Sequence, residues 1–87
     1  MKKLYPSQVE IMEALYRFVN GMTREQLATH LHRKESSICA RVDEIAPYLK
    51  MEGRRINPKS KMPATILKLN YRGIQIMQTR LNKKVAA

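Results

Sequence analysis

The sequence predicts a small, mainly α-helical domain with one β-hairpin, in the order helix, helix, helix, hairpin, helix. Three observations lead to this prediction. Apolar residues recur at helical spacing in several segments, capping patterns precede two of those segments, and residues 63–70 have the alternation of a strand. A chain of 87 residues is long enough for one domain, so residues 1–87 are taken as a single domain.

The first predicted helix covers about residues 7–20. Ser7 and Glu10 have the spacing of a capping box, in which each side chain bonds to the backbone amide of the other residue. Gly21 stands where a glycine often ends a helix in the left-handed conformation. The face turned to the core is expected to hold Val9, Met12, Tyr16 and Val19, with Leu15 and Phe18 beside them.

Two further helices follow. Thr23 and Gln26 repeat the capping pattern ahead of residues 24–31, whose inner face is expected to hold Leu27, Ala28 and Leu31. The third helix is expected to end near Ala46, because Pro47 cannot continue it. Its buried stripe is expected to consist of Ile38, Val42 and Ile45. Two short helices joined by a short turn form a helix-turn-helix.

A β-hairpin is predicted over about residues 49–69. Its strands lie within residues 48–56 and 63–70, and the segment NPKSK between them is rich in turn-forming residues. Asn70 is then expected to cap a last helix at about residues 71–83. One face of this helix either closes the core or pairs two copies of the chain as a homodimer. That face holds Ile74, Met77 and Leu81.

The charge of the chain is strongly positive and unevenly distributed. Seventeen basic and seven acidic residues give a net charge of +10. Residues 1–52 carry eight basic and seven acidic side chains, whereas residues 53–87 carry nine basic and none acidic. Within Gly53–Pro63 there are four cations and no acid. Such a balance predicts a polyanionic partner, of which nucleic acid is the commonest.

A hairpin directly after the second helix of a helix-turn-helix is a wing, and here the sequence resembles the winged helix-turn-helix superfamily. It is similar to small prokaryotic and bacteriophage members. The resemblance covers about residues 7–72, with TREQLATHL as positioning helix, ESSICARVDEIAPYL as recognition helix and exit, and GRRINPKSKMPATILKLN as wing. Members often have glycine shortly after the recognition helix, where this chain has Pro47 and Tyr48, so the exit is expected to kink differently.

The resemblance implies a sequence-specific, double-stranded DNA-binding protein, and a small transcriptional regulator in particular. The N-terminal half of the recognition helix is then expected in the major groove, and the wing over the backbone or the minor groove. The expected groove residues are Ser36, Ser37, Ala40 and Arg41. The expected backbone contacts are Thr23, Arg33 and Lys34, and those of the wing are Arg54, Arg55, Lys59 and Lys61.

Two of these residues have alternative roles. Arg41 is suited to a bidentate contact with guanine, but it can equally form a surface ion pair with Glu44 or Glu35. Thr23 can contact a phosphate, or act only as the N-cap of its helix, or do both.

Sites for catalysis, metals or cofactors are not expected. His30 and His32 lie two residues apart, so a helix points them apart, and the lone Cys39 completes no metal set. The single cysteine also excludes an internal disulfide and is typical of a reducing compartment. No apolar run approaches the roughly 20 residues of a membrane span. The expected location is therefore the cytoplasm, with no membrane partner.

Other functions remain open. The basic surface could grip an acidic protein partner, since winged helices also serve as protein-interaction modules. The chain could also be a DNA-binding accessory factor in replication or recombination. Binding of RNA or single strands is less favoured, because only one Phe, four Tyr and no Trp are available for base stacking.

Overall fold

The computed structural model describes the backbone of residues 4–86 and the side chains of residues 4–81. It confirms the mainly helical architecture with one two-stranded antiparallel hairpin, in the expected order. The helices are α1 (Pro6–Arg17), α2 (Arg24–Leu31), α3 (Glu35–Glu44) and α4 (Tyr71–Ala86), a 3-10 turn covers Ala46–Tyr48, and the strands are β1 (Leu49–Ile56) and β2 (Pro63–Leu69).

Helix α1 differs from the prediction at both ends. It begins at Pro6, after the N-cap residue Tyr5, whose amide donates a hydrogen bond of 2.9 Å to Gln8 Oε1. The expected capping box of Ser7 and Glu10 was wrong, because proline is well suited to the first helical position and Ser7 therefore falls inside the first turn. The helix ends at Arg17, so Val19 lies outside it. The buried face consists of Gln8, Ile11, Met12, Ala14 and Leu15.

Gly21 does not end α1 but allows the chain to approach β2. It has φ of 82°, and the next residue, Met22, exchanges two backbone hydrogen bonds with Leu67, of 3.1 and 2.9 Å. A Cβ on Gly21 would lie only 2.7 Å from the carbonyl oxygen of Leu67. The expected role of Gly21 as a helix terminator was therefore wrong, because a close strand contact determines its conformation.

The helix-turn-helix agrees with the prediction. Gln26 N donates to Thr23 Oγ1 at 3.2 Å, and Thr23 N donates to Gln26 Oε1 at 3.0 Å, which confirms the capping box of α2. His32 follows α2 in the left-handed conformation with φ of 55° and turns the chain toward α3. The buried stripe of α3 is confirmed, with Ile38, Val42 and Ile45 each at most 2% exposed.

The hairpin follows α3 through the 3-10 turn that contains Pro47. Its register shifts between Met51 and Arg54, where Gly53 has φ of 84°, so that β1 contains a bulge. A bulge bends the strand and increases its twist. We call residues Leu49–Leu69 the wing and residues Asn57–Met62 the wing tip.

Helix α4 closes the core on the side of the hairpin. Asn70 caps it, because Gly73 N donates to Asn70 Oδ1 at 3.0 Å. Met77 is 1% exposed and packs in the chain's own core, so this residue of α4 helps to close the core. Ile74 was expected to point inward but is 37% exposed. Gly73 takes the inward position instead, packed against the carbonyl oxygen of Tyr48.

The core forms where the four helices meet the hairpin. Its buried apolar residues come from α1, α2, α3, the wing and α4, together with Met22. The core therefore holds the exposed side of α3 and the wing on one framework.

None of the helices in the described part of the chain has the length and apolar character that a membrane span requires.

Candidate nucleic-acid interface

The exposed face of α3 carries small side chains. Ser36, Ser37 and Ala40 are exposed, and Cys39 beside them is half-buried. Short side chains allow the backbone of a helix to approach base edges closely, and serine hydroxyls donate to bases or phosphates. Two acidic residues of α3 are also exposed, Glu35 at the start of the helix and Asp43 farther along. The part of the face that is free of acid therefore lies between them.

Arg41 lies on the flank of α3 and is held in an ion pair. Its Nη2 atom lies 3.2 Å from Glu44 Oε2, and Gln8 Nε2 of α1 donates to Glu44 Oε1 at 2.8 Å. The Arg41 side chain is 38% exposed, and its Nε atom is buried without a hydrogen-bond partner among the described residues. The structure therefore shows the surface ion pair, and Arg41 would have to leave Glu44 to reach a base.

Two cations stand at the turn before α3. Lys34 is the exposed N-cap residue of the helix, where the helix dipole adds positive potential. Arg33 Nη2 lies 3.1 and 3.2 Å from the two carboxylate oxygens of Glu10. Both side chains are more than two-fifths exposed, and such a pair contributes only about 0–1 kcal/mol. Exchanging Glu10 for a phosphate would therefore be easy for Arg33.

Three cations of the wing have exposed side chains that form no ion pair within the part of the chain that the structure describes. No carboxylate oxygen within the described residues lies within 4 Å of the side-chain nitrogens of Arg54, Lys59 or Lys61. At the base of the wing the opposite holds, because Glu52 lies 3.1 Å from Lys68 Nζ and 3.2 Å from Lys50 Nζ. The uncompensated charge of the wing is therefore concentrated toward its tip.

The environment of Glu52 also affects its ionisation. Its hydrogen bond to Lys68 and then that to Lys50, together with the charges of both lysines, lower the pKa of the Glu52 carboxyl. Glu52 therefore remains ionised and neutralises cations at the base of the wing.

Arg55 differs from its neighbour Arg54, because its guanidinium points to α2. Its Nη1 atom donates to Gln26 Oε1 at 2.7 Å and to the carbonyl oxygen of Gly21 at 3.1 Å. Its Nη2 atom donates to the carbonyl oxygen of Asn20 at 3.2 Å. In the free protein the Arg55 guanidinium is thus engaged in contacts within the fold.

Thr23 is likewise used inside the protein. It is 0% exposed, and its hydroxyl donates a hydrogen bond of 2.6 Å to Asn57 Oδ1 in the wing tip. Its amide is bonded to Gln26. The structure therefore shows the N-cap role of Thr23, and both its hydroxyl and its amide are used in hydrogen bonds within the protein.

The wing tip lies against the first turn of α2. The amides of Lys59 and Ser60 each donate to the Glu25 carboxylate at 3.2 Å. An open cleft of about 460 Å³ lies beside this contact and is lined by residues of α2, the start of α3 and the wing tip. Arg33 and Lys59 both line it, so the turn before α3 and the wing tip face a common space.

Sequence reasoning missed the part that Asn57 plays in this arrangement. The residue is only 7% exposed, although its place in an Asn-Pro turn indicated an ordinary loop. Its burial follows from the distant contact with Thr23, for which the local sequence carries no signal.

Metal binding has no counterpart in the described residues. No group of three His, Cys, Asp or Glu side chains there is close enough to hold an ion. His30 instead packs edge-on against Phe18, with ring centroids 5.1 Å apart.

Comparisons with known proteins support the architecture. No protein-family model matches the chain, and no curated protein matches its sequence. Among solved structures, the MepR–DNA complex of Staphylococcus aureus is similar with a TM-score of 0.72 at 15% identity, over 91% of this chain and 63% of that one. MarR is similar with a TM-score of 0.71 at 21% identity, over 95% and 58% of the two chains.

A further MarR-family transcription regulator has a TM-score of 0.65 at 25% identity, over 95% of this chain and 55% of that one. The chain thus spans about three-fifths of the length of these structures. The low identities mean that the comparison concerns the shape of the chain. The chain has the winged helix-turn-helix fold that its sequence resembles.

Proposed function

We propose that this chain binds double-stranded DNA with sequence preference and acts as a small transcriptional regulator. One observation carries the proposal: the exposed, small-residue face of α3 lies in the same framework as three wing cations whose side chains form no ion pair within the described residues. Ser36 and Ala40 represent that face, and Arg54 and Lys61 represent the wing cations. The similarity to MepR, whose structure is a DNA complex, supports the proposal.

In the proposed complex the N-terminal half of α3 enters the major groove. Ser36 and Ser37 donate to bases or phosphates, and Ala40 contacts a thymine methyl group. Arg41 contacts a guanine only after it exchanges Glu44 for the base, so it contributes to selectivity rather than to basal affinity. Asp43 repels phosphates, and the C-terminal half of α3 therefore rises out of the groove.

The wing and the turn before α3 supply the charge. Five cations are suited to phosphate contacts, namely Arg33, Lys34, Arg54, Lys59 and Lys61. If each neutralises one phosphate, the slope of log Kobs against log salt concentration is about −4 to −5. Affinity should then fall roughly 10²- to 10³-fold between about 50 and about 200 mM salt.

The proposed setting is the cytoplasm of a bacterium or of a phage-infected host cell, where genomic DNA is accessible. Nothing in the geometry favours the alternative of an acidic protein partner, so that alternative enters as an outcome of the test. The same holds for an accessory role in replication or recombination, which would share the DNA contacts.

The test is fluorescence anisotropy with labelled random-sequence duplex DNA, single-stranded DNA and RNA, titrated across salt. We expect a preference for the duplex and the salt slope given above. Selection of sites from a random duplex pool should then enrich one sequence, and Arg41→Ala should weaken that enrichment. Absence of duplex binding at low salt would contradict the proposal and direct the search to an acidic protein partner.

A further inference from the structure

We infer that Arg55 and Glu25 are positioning residues that dock the wing tip on the first turn of α2, and that Arg55 does not contact phosphate. The consequences for affinity rest on the proposed DNA-binding function. The docking itself is a property of the free protein and can be measured without DNA.

Three sets of hydrogen bonds join the wing to the segment before and within the start of α2. The Arg55 guanidinium donates to Gln26 Oε1 and to two backbone carbonyl oxygens, at 2.7 to 3.2 Å. Thr23 donates to the buried Asn57 at 2.6 Å. The Glu25 carboxylate accepts two amides of the wing tip at 3.2 Å each. These contacts come from different positions along the wing, so together they fix its orientation.

The two neighbouring arginines of β1 have opposite surroundings. Successive side chains of a strand point to opposite faces, so Arg54 and Arg55 cannot both face one partner. Arg54 is exposed, whereas Arg55 is half-buried and makes three hydrogen bonds. If Arg55 turned to a phosphate, Gln26 Oε1 would lose a charged donor, and hydrogen bonds to charged groups are the stronger ones. In the proposed complex Arg54 therefore contacts phosphate, whereas Arg55 positions the wing.

Docking gives the wing a defined place before DNA arrives. An isolated two-stranded hairpin is marginally stable, and its tip would have to be ordered on binding. Ordering of long side chains on association weakens binding. A docked wing avoids part of that loss, and it holds Lys59 near the space that Arg33 also lines.

The first experiment uses the free protein. Backbone 15N relaxation reports the order parameters of the Lys59 and Ser60 amides in the wild type and in Arg55→Gln, with Arg54→Gln as the matched control. We expect order parameters of about 0.85 in the wild type and the control, and below about 0.6 in Arg55→Gln. Arg55→Lys keeps the charge but lacks the planar fork, so it should not restore order.

The second experiment measures duplex DNA binding across salt for the same variants. Arg54→Gln should reduce the magnitude of the salt slope by about 1, because it removes a phosphate contact. Arg55→Gln should raise Kd about 2- to 10-fold and leave the slope unchanged. Arg55→Lys should resemble Arg55→Gln.

Several outcomes would overturn the inference. The positioning role of Arg55 fails if its replacement leaves the order parameters unchanged, if it flattens the salt slope as Arg54→Gln does, or if lysine restores wild-type behaviour. The role of Glu25 fails if Glu25→Gln leaves the tip ordered. If the wild type binds no DNA, the proposed function fails, and the relaxation data still decide the docking.

Discussion

Replacement of Thr23 by valine tests the connection between the wing tip and α2 most sharply. Valine has nearly the shape of threonine and replaces the hydroxyl of this fully buried residue by a methyl group, which can neither donate nor accept a hydrogen bond. That hydroxyl accepts from Gln26 N at 3.2 Å and donates to Asn57 Oδ1 at 2.6 Å. Both partners lose a hydrogen bond in Thr23→Val.

The two losses set the magnitude. Removal of the N-cap side chain from α2 costs about 1 kcal/mol. The side-chain oxygen Oδ1 of the buried Asn57 is left without this donor, which costs about 1–3 kcal/mol. We therefore expect the free energy of unfolding to fall by about 2–4 kcal/mol, and Tm to fall by roughly 10–25 °C in a domain of this size.

Urea and thermal unfolding, followed by circular dichroism, measure the change, and Thr23→Ser is the matched control. Serine keeps the hydroxyl and loses one buried methyl group, so it should cost only about 1 kcal/mol. If valine and serine variants were equally stable, the hydroxyl would contribute nothing, and the proposed link between Thr23 and Asn57 would be refuted.

Three further predictions follow from single contacts. Gly73→Ala should destabilise the chain by about 1–3 kcal/mol in urea unfolding, because its Cβ would collide with the carbonyl oxygen of Tyr48. Glu44→Gln should tighten duplex binding in anisotropy titrations, because it removes an acid from the DNA-facing side and frees Arg41 from its ion pair. Since the folded protein lowers the pKa of Glu52, its contribution to stability is present at neutral pH and is lost as the pH falls through that lowered pKa. Unfolding curves of Glu52→Gln should lack this acid-dependent loss.

Each of these predictions has an outcome that would contradict it. Wild-type stability of Gly73→Ala would mean that α4 can shift away from the 3-10 turn. Weaker duplex binding by Glu44→Gln would mean that the ion pair orients Arg41 for DNA. An unchanged acid dependence in Glu52→Gln would assign that dependence to other carboxyl groups.

The sequence predicted those parts of the fold that depend on neighbours along the chain. The start of α2 follows from Thr23 and Gln26 alone, and the buried stripe of α3 follows from the spacing of its apolar residues. The hairpin follows from the alternation within residues 63–70 and from the turn-forming segment that precedes them. Each is a local signal that the tertiary structure leaves in place.

The parts that could not be predicted depend on residues far apart in the sequence. Gly21 was assigned to the end of α1, but its conformation is determined by the close contact with β2, where Met22 pairs with Leu67. Arg55 and Arg54 look alike in the sequence, and only the partners around Gln26 distinguish them. Local patterns carry no information on such contacts. The charge of the segment therefore indicated a polyanionic partner, and only the structure distinguished the exposed cations of the wing from Arg55, which contacts α2.

The central claim is that the wing cations contact DNA, and two variants of equal charge test it most directly. One variant replaces Arg54, Lys59 and Lys61 by glutamine. The other replaces three cations outside the proposed interface by glutamine, namely Arg17 of α1 and Arg72 and Arg80 of α4. Salt-dependent anisotropy with duplex DNA then compares them. The account predicts that the wing variant flattens the salt slope by about 3 and that the control variant nearly keeps the wild-type slope. Equal slopes for the two variants would show that only net charge matters, and would contradict the proposed interface.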